Sequence, residues 1–371
     1  MTRTCLLFAA AAVVGATPVA SATAQSLDLT VDNVGVGIGN VPHVTGIRLN
    51  FRDRDDFDVR GINVTVWSPD QEPRGSVTGL ALGLPLTGAA RITGIGAGVF
   101  GVSAAERITG LGIGGIGIGA GARLDGIMIG GIGVGSGGDV TGLTLGGVGV
   151  GTGRSLRGIG VGGVGVGTGG DLGGLAVGGI GVGVGGGAQG IMIGGIGVGV
   201  GQSLRGISIG GIGVGGGGEV SGLTIAGVGV GAGRSLNGIS IGGIGVGSGG
   251  DVTGLTVAGV GIGSGGTLRW ISLAGIGIGA PRIEGFAAAA AVGAESATAV
   301  IIAPAYMRID RGTFTGVSAS AFNHIKGTQH GLTIGVFNYT YRLHGVQLGV
   351  LNYVRDNPAP FRLLPLINAG R

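Results

Sequence analysis

The chain has 371 residues, of which 96 are Gly and 10 are Pro, and its formal net charge is +4. Glycine at that frequency without a strict three-residue period excludes collagen, and regularly spaced Val, Ile and Leu with only 11% charged residues exclude a disordered chain. Positive charge is scattered as single Arg residues, Lys326 being the only Lys, so no basic face is laid out for nucleic acid.

In chain order, residues 1–24 read as a secretory signal peptide. Arg3 supplies a short positive region, Leu6 to Val14 is apolar, and Ala22-Thr23-Ala24 is a small-x-small cleavage site. A buried N-terminal helix is the alternative. The expected mature chain starts at Gln25 and is exported to the cell envelope: outer membrane, surface or periplasm. The single Cys, Cys5, lies in this segment. The expected mature chain therefore has no disulfide and no Cys-ligated metal.

Residues 25–78 read as N-terminal capping strands. The stretch RLNFRDRDDFDVRGINVTVW forms two strands around an acidic turn. There Asp53, Asp55, Asp56 and Asp58 are a calcium candidate, since a hard cation takes clustered carboxylates. Arg52, Arg54 and Arg60 offset that charge and the Gly of a calcium loop is missing, so a solvated turn is the competing reading.

Residues 79–285 form the glycine-rich repeat domain, with a period of 16 residues. One unit reads GGIGVGSGGDVTGLTL from Gly130, another GGIGVGVGQSLRGISI from Gly194. Period-two alternation inside the unit is a strand signal, and fixed-period self-similarity is the signature of stacked repeats. Two all-β architectures follow. In a parallel β-solenoid each unit is one coil, with Val140, Leu143, Leu145, Val148 and Val150 inward and the phase changing at Gly146-Gly147. In an antiparallel meander, or a closed outer-membrane β-barrel, each unit is a strand and a turn. Three features favour the solenoid: a constant period, the near absence of aromatic girdles, and an apolar residue inside each turn (Val140, Leu156, Leu172, Leu204, Val220, Leu236, Val252, Leu268). The turns alternate between acidic ones (Asp139, Asp171, Glu219, Asp251) and Arg-bearing ones, a pattern either architecture accommodates.

Residues 286–371 comprise an Ala-rich segment, read as strands of small side chains with a short helix as the alternative, and a second repeat with a 14-residue period. His330 and His344 are one such repeat apart and are expected to stack at the surface. Phe337, Tyr339, Tyr341 and Tyr353 form an aromatic patch, read as a cap of the core or as a sugar- or partner-binding face.

The units GLTIGVFN and GVQLGVLN, the upstream VTGIRLNF and VRGINVTV, and the closing PFRLLPLIN resemble the bacterial surface-repeat protein family first noticed in spirochaetes. The resemblance spans Gly312 to Asn368 and, less fully, Val44 to Trp67; between them only the periodicity is shared. It implies an envelope or surface protein and brings no catalytic residues with it.

Matches to G-x-G-x-x-G occur throughout and carry no weight without a strand-to-helix context. No nucleophile, metal spacing or paired carboxylate stands out, so no cofactor is expected. The expectation is a non-enzymatic cell-envelope repeat protein acting as a structural or interaction scaffold, its partners being envelope components or further copies of itself. The alternative is an outer-membrane barrel serving as pore or anchor.

Overall fold

The computed structural model describes residues 26–54, 56–69 and 74–370, so the expected signal peptide lies outside the described residues. The described chain is all β, a solenoid of about 18 turns. The barrel and meander are thereby corrected. Successive coils pair parallel and one repeat apart, with Val140 opposite Leu156 and Leu156 opposite Leu172, whereas a barrel of hairpins would pair antiparallel.

Each coil of the regular region has a long strand and a short one, such as Asp139–Gly146 followed by Gly149–Thr152. Gly147 and Val148 link them, and the next long strand, Leu156–Gly162, follows a polar turn. The corner is part of the ladder too, since Val148 N donates to Ile132 O at 2.6 Å and Val164 N to Val148 O at 2.6 Å. Backbone groups are thus satisfied from coil to coil, as buried main chain requires.

The apolar turn residues are the core: Val140, Leu156, Leu172, Leu204, Val220, Leu236, Val252 and Leu268 are each at most 2% exposed. Val150 is buried beside them. The other three expected core positions are not inside. Leu143 and Leu145 are half-buried and Val148 is 48% exposed, while Thr144 between them is 1% exposed. The phase does not change at Gly146-Gly147. Once Val140 faces inward, period-two alternation carries Thr144, Gly146, Val150 and Thr152 inward as well, and puts the aliphatic side chains of the long strand outside.

The interior is narrow, which explains why small residues fill it. Down the column of Thr144 stand Gly112, Met128, Gly160, Ala176 and Met192; a Cβ at Gly112 would come within 2.7 Å of Met128 Sδ. A large residue is accepted there beside a small one. The hydroxyls of Thr144, Ser208 and Ser240 are buried in this column with no hydrogen-bond partner among the described residues.

A second column fixes the backbone. Gly142 has φ +114°, and a Cβ there would sit 2.1 Å from the carbonyl oxygen of Gly126. Only glycine takes that conformation without strain, and it recurs in coil after coil. Trp270 breaks the column: it stands between Gly254 and Gly285 with φ +82° and is 69% exposed. By contrast, Gly151 on the short strand faces open space, with nothing within 4 Å of a Cβ. Nothing in the structure requires glycine there.

The ends differ from the middle. Leu27–Val31 turns through Asp32 and Asn33, both at positive φ, to pair antiparallel with Val34–Ile38, which starts the parallel ladder. At the other end Leu363–Gly370 pairs antiparallel with the last coil. Both hairpins cover a sheet edge that would otherwise invite another chain. The Ala-rich segment forms the strands Gly277–Ala288 and Ala291–Ile302, in keeping with the sequence reading. The C-terminal repeats continue the same ladder, with Gly316 opposite Gly331.

Candidate functional site: an aromatic face on the C-terminal coils

The outward positions of the short strands are glycine through the regular region and change identity near the C-terminus. One column runs Gly277, Ala291, Tyr306, Phe322; the next runs Gly279, Gly293, Arg308, His324. Ring contacts extend both. Tyr306 meets Phe322 at 5.4 Å and Phe322 meets Phe337 at 5.1 Å, while His324 meets Tyr339 edge-on at 5.1 Å. Tyr339 and Tyr353 stack at 5.3 Å, 1° from parallel. These separations follow the spacing of neighbouring strands, about 4.8 Å.

All four residues of the expected patch, Phe337, Tyr339, Tyr341 and Tyr353, are brought together. Tyr341 packs edge-on to Tyr339 at 5.9 Å and carries the Arg355 guanidinium 4.5 Å above its ring. Tyr306, Phe322 and His324 are the members that sequence reasoning missed. For Phe322 and His324 the signal was present: Phe322-Asn323-His324, Phe337-Asn338-Tyr339 and Leu351-Asn352-Tyr353 repeat one pattern of Asn followed by a ring.

The Asn of each triplet points inward. Asn323 Nδ2 donates to Asn338 Oδ1 at 2.7 Å, and Asn338 Nδ2 donates to Asn352 Oδ1 at 2.7 Å; all three residues are buried. A satisfied carboxamide ladder under the rings holds their backbone in register. His324 accepts or donates at Nδ1 with the Tyr306 hydroxyl at 3.0 Å. Its pKa lies below the ordinary histidine value, first through desolvation and then through the nearby Lys326 and Arg308. Burial also raises the Tyr339 phenol above its ordinary value. A shallow polar depression lined by Asp310, Lys326, Tyr341, Arg342 and Asp356 borders the rings. The face can stack on flat apolar rings and offers charged hydrogen-bonding groups at its margin.

The described acidic candidates, Asp53, Asp56 and Asp58, do not share a site. Asp53 is buried against Arg48, whose Nη1 donates to Asp53 Oδ1 at 2.6 Å, and it also accepts from Asn50, Asn63 and Thr65. Burial lowers the Arg48 pKa against the opposing pull of Asp53. Asp56 is exposed, Asp58 accepts from Ser76 Oγ at 2.6 Å, and Asp55 lies outside the described residues. Among the described residues no three His, Cys, Asp or Glu side chains gather as a metal site. His330 and His344 stack as expected, 4.7 Å apart and 7° from parallel.

The turn charges pair between coils, with Arg154 3.1 Å from Asp139 and Arg269 3.2 Å from Asp251. Ser155, and then Arg154, hold the Asp139 carboxyl below the usual range. Exposed pairs of this kind contribute little to stability. No helix among the described residues is long and apolar enough to cross a membrane. Comparison with protein-family models, curated proteins and solved structures found no match for this chain.

Proposed function

We propose that the chain is a non-enzymatic repeat protein of the cell envelope, a rigid rod that presents an interaction face. The observation that carries this reading is the aromatic face of Tyr306, Phe322, Phe337, Tyr339 and Tyr353, seated on the buried Asn ladder. Half-exposed rings on a rigid platform can bind at small entropic cost, because their backbone and rotamers are already ordered. The N-terminal export pattern supports the envelope setting, and so does the likeness of GLTIGVFN and GVQLGVLN to surface-repeat proteins.

Two measurements test the reading. Cell fractionation is expected to place the protein in the envelope, with a mature N-terminus at Gln25; a cytoplasmic protein that keeps Met1 refutes it. Isolated envelopes are expected to co-sediment the full chain, and Tyr339→Ser with Tyr353→Ser is expected to abolish that. Unchanged co-sedimentation by the folded variant removes the aromatic face from the proposal.

A further inference from the structure

The long strands and corners display three aliphatic columns on the outside of the solenoid. Ile127, Leu143 and Ile159 are successive members of the first, Ile129, Leu145 and Val161 of the second. The third is the corner, where Ile132, Ile180, Ile212 and Ile276 are 51–61% exposed. None of the ionisable residues between Gly126 and Trp270 falls in these columns. They occupy the turns or the first outward position of the long strand, as Arg157, Arg205 and Arg269 do.

A patch of this extent is unusual. Ten coils at about 4.8 Å, and about six residues of width at about 3.3 Å each, give roughly 50 Å by 20 Å, or about 1,000 Å². The largest apolar patch on a monomer is about 300–600 Å², whereas a stable interface takes about 800 Å² from each partner. The face is therefore larger than a monomer leaves bare and large enough to hold a dimer.

We infer that this face is the contact between two copies of the chain, packed side by side with their aliphatic columns interleaved. A second copy matches it in three ways. Its own columns repeat at the same interstrand spacing, so ridges and gaps coincide over the whole length. The contact buries no charge, and thereby avoids the penalty of an unpaired ion in an interface. A two-fold axis along the solenoid brings the same columns together from both copies, as an isologous contact requires. A lipid surface matches less well. Residues 101–269 contain no Lys, Tyr, Trp or Phe for the headgroup region, and Arg154, Arg205 and Arg269 are engaged with Asp139, Glu219 and Asp251. End-to-end joining is opposed by the antiparallel hairpins at both ends.

The inference deepens the scaffold reading and rests on it only for the biological setting. Envelope fractionation tests that setting, whereas association of the purified chain tests the dimer. Sedimentation velocity and small-angle scattering on the purified protein are expected to give twice the monomer mass, with mass per unit length doubled and rod length unchanged. Ile180→Glu with Ile212→Glu, two coils apart on the exposed corner, is expected to lose the dimer and keep the β circular dichroism. Should that variant fail to fold, the milder Ile180→Asn with Ile212→Asn is expected to weaken association at least about tenfold, or about 1.4 kcal/mol. The inference is overturned by a monomer at all accessible concentrations, by a dimer of doubled length and unchanged mass per length, or by a folded corner variant that still dimerises. A monomer that binds phosphatidylethanolamine–phosphatidylglycerol vesicles through these columns assigns the face to lipid and also overturns it.

Discussion

Asn338 both accepts from Asn323 and donates to Asn352, at 2.7 Å in each case, so one buried carboxamide ties three coils together. Asn338 Nδ2 also reaches Leu348 O at 3.0 Å. Replacing it leaves the buried Asn352 Oδ1 without its donor, at about 1–3 kcal/mol, and removes the shortest bond of Asn323 Nδ2, which keeps Ile334 O at 3.1 Å. Asn338→Ala is thus expected to destabilise the C-terminal coils by about 1–3 kcal/mol, read as early loss of hydrogen-exchange protection there. Full protection at native levels counts against the ladder as a support for the rings.

The two kinds of glycine should answer substitution in opposite directions. Gly142→Ala forces a Cβ to within 2.1 Å of a backbone oxygen at φ +114°. A loss of more than about 3 kcal/mol is expected, since both strain and a backbone clash are imposed. Gly151→Thr puts a β-branched residue into open space on a strand. There it is expected to raise stability by about 0.5–1 kcal/mol, because strand glycine costs about that much. Thermal denaturation of the two single variants checks the contrast, and equal destabilisation by both contradicts the assignment.

Trp270 is the one large side chain placed in the positive-φ column between Gly254 and Gly285. A non-glycine residue held there stores about 1–3 kcal/mol. Trp270→Gly is expected to raise the melting temperature, although it deletes an exposed aromatic side chain. A fall in melting temperature means that contacts made by the indole outweigh the strain.

The aromatic face should weaken on acidification. His324 has a pKa depressed below 6.5, chiefly by desolvation. Unfolding therefore takes up a proton, and stability present above the unfolded value near 6.5 declines as pH falls through the folded pKa. Tyr306, Phe322 and Tyr339 adjoin the ring, Lys326 and Arg308 oppose its protonation, and Asp310 favours it. His324→Phe keeps the ring stack and removes the titration. Between pH 7.5 and 5 the C-terminal coils of the wild type are expected to lose more stability than those of the variant. Parallel losses in both proteins place the titration elsewhere.

Much of this fold can be read from residue spacing, and the exceptions have physical causes. The turn residues Val140 and Leu156 are inside because an apolar side chain in an otherwise polar turn has only the coil interior to bury itself in. The choice between solenoid and barrel depends on which strand pairs with which, a tertiary fact that a repeat period leaves open. Leu143, Thr144 and Leu145 show a second gap. Alternation separates two faces but does not say which is inner, and here the narrow bore takes Thr144 while the aliphatics stay outside. The patch residues Phe337, Tyr339, Tyr341 and Tyr353 were legible as a cluster of rings. Phe322 and His324 shared the pattern of Asn beside rings, whereas Tyr306 became part of it only through parallel pairing, which sets it opposite Phe322, sixteen residues on.

Because each coil rests only on the coils before and after it, the length of the rod is open to inheritance. Duplication or loss of whole repeats can lengthen or shorten it without disturbing a shared centre. The ionic pattern sets the step: loss of the single coil Gly146–Val161 would lay Asp139 beside Asp171, which Ser155 now separates. Like charges directly opposite each other are disfavoured, so pairs of coils are the increment expected between Asp139 and Asp171 and between Glu219 and Asp251, whereas Asp171 and Glu219, three coils apart, leave room for the loss of one.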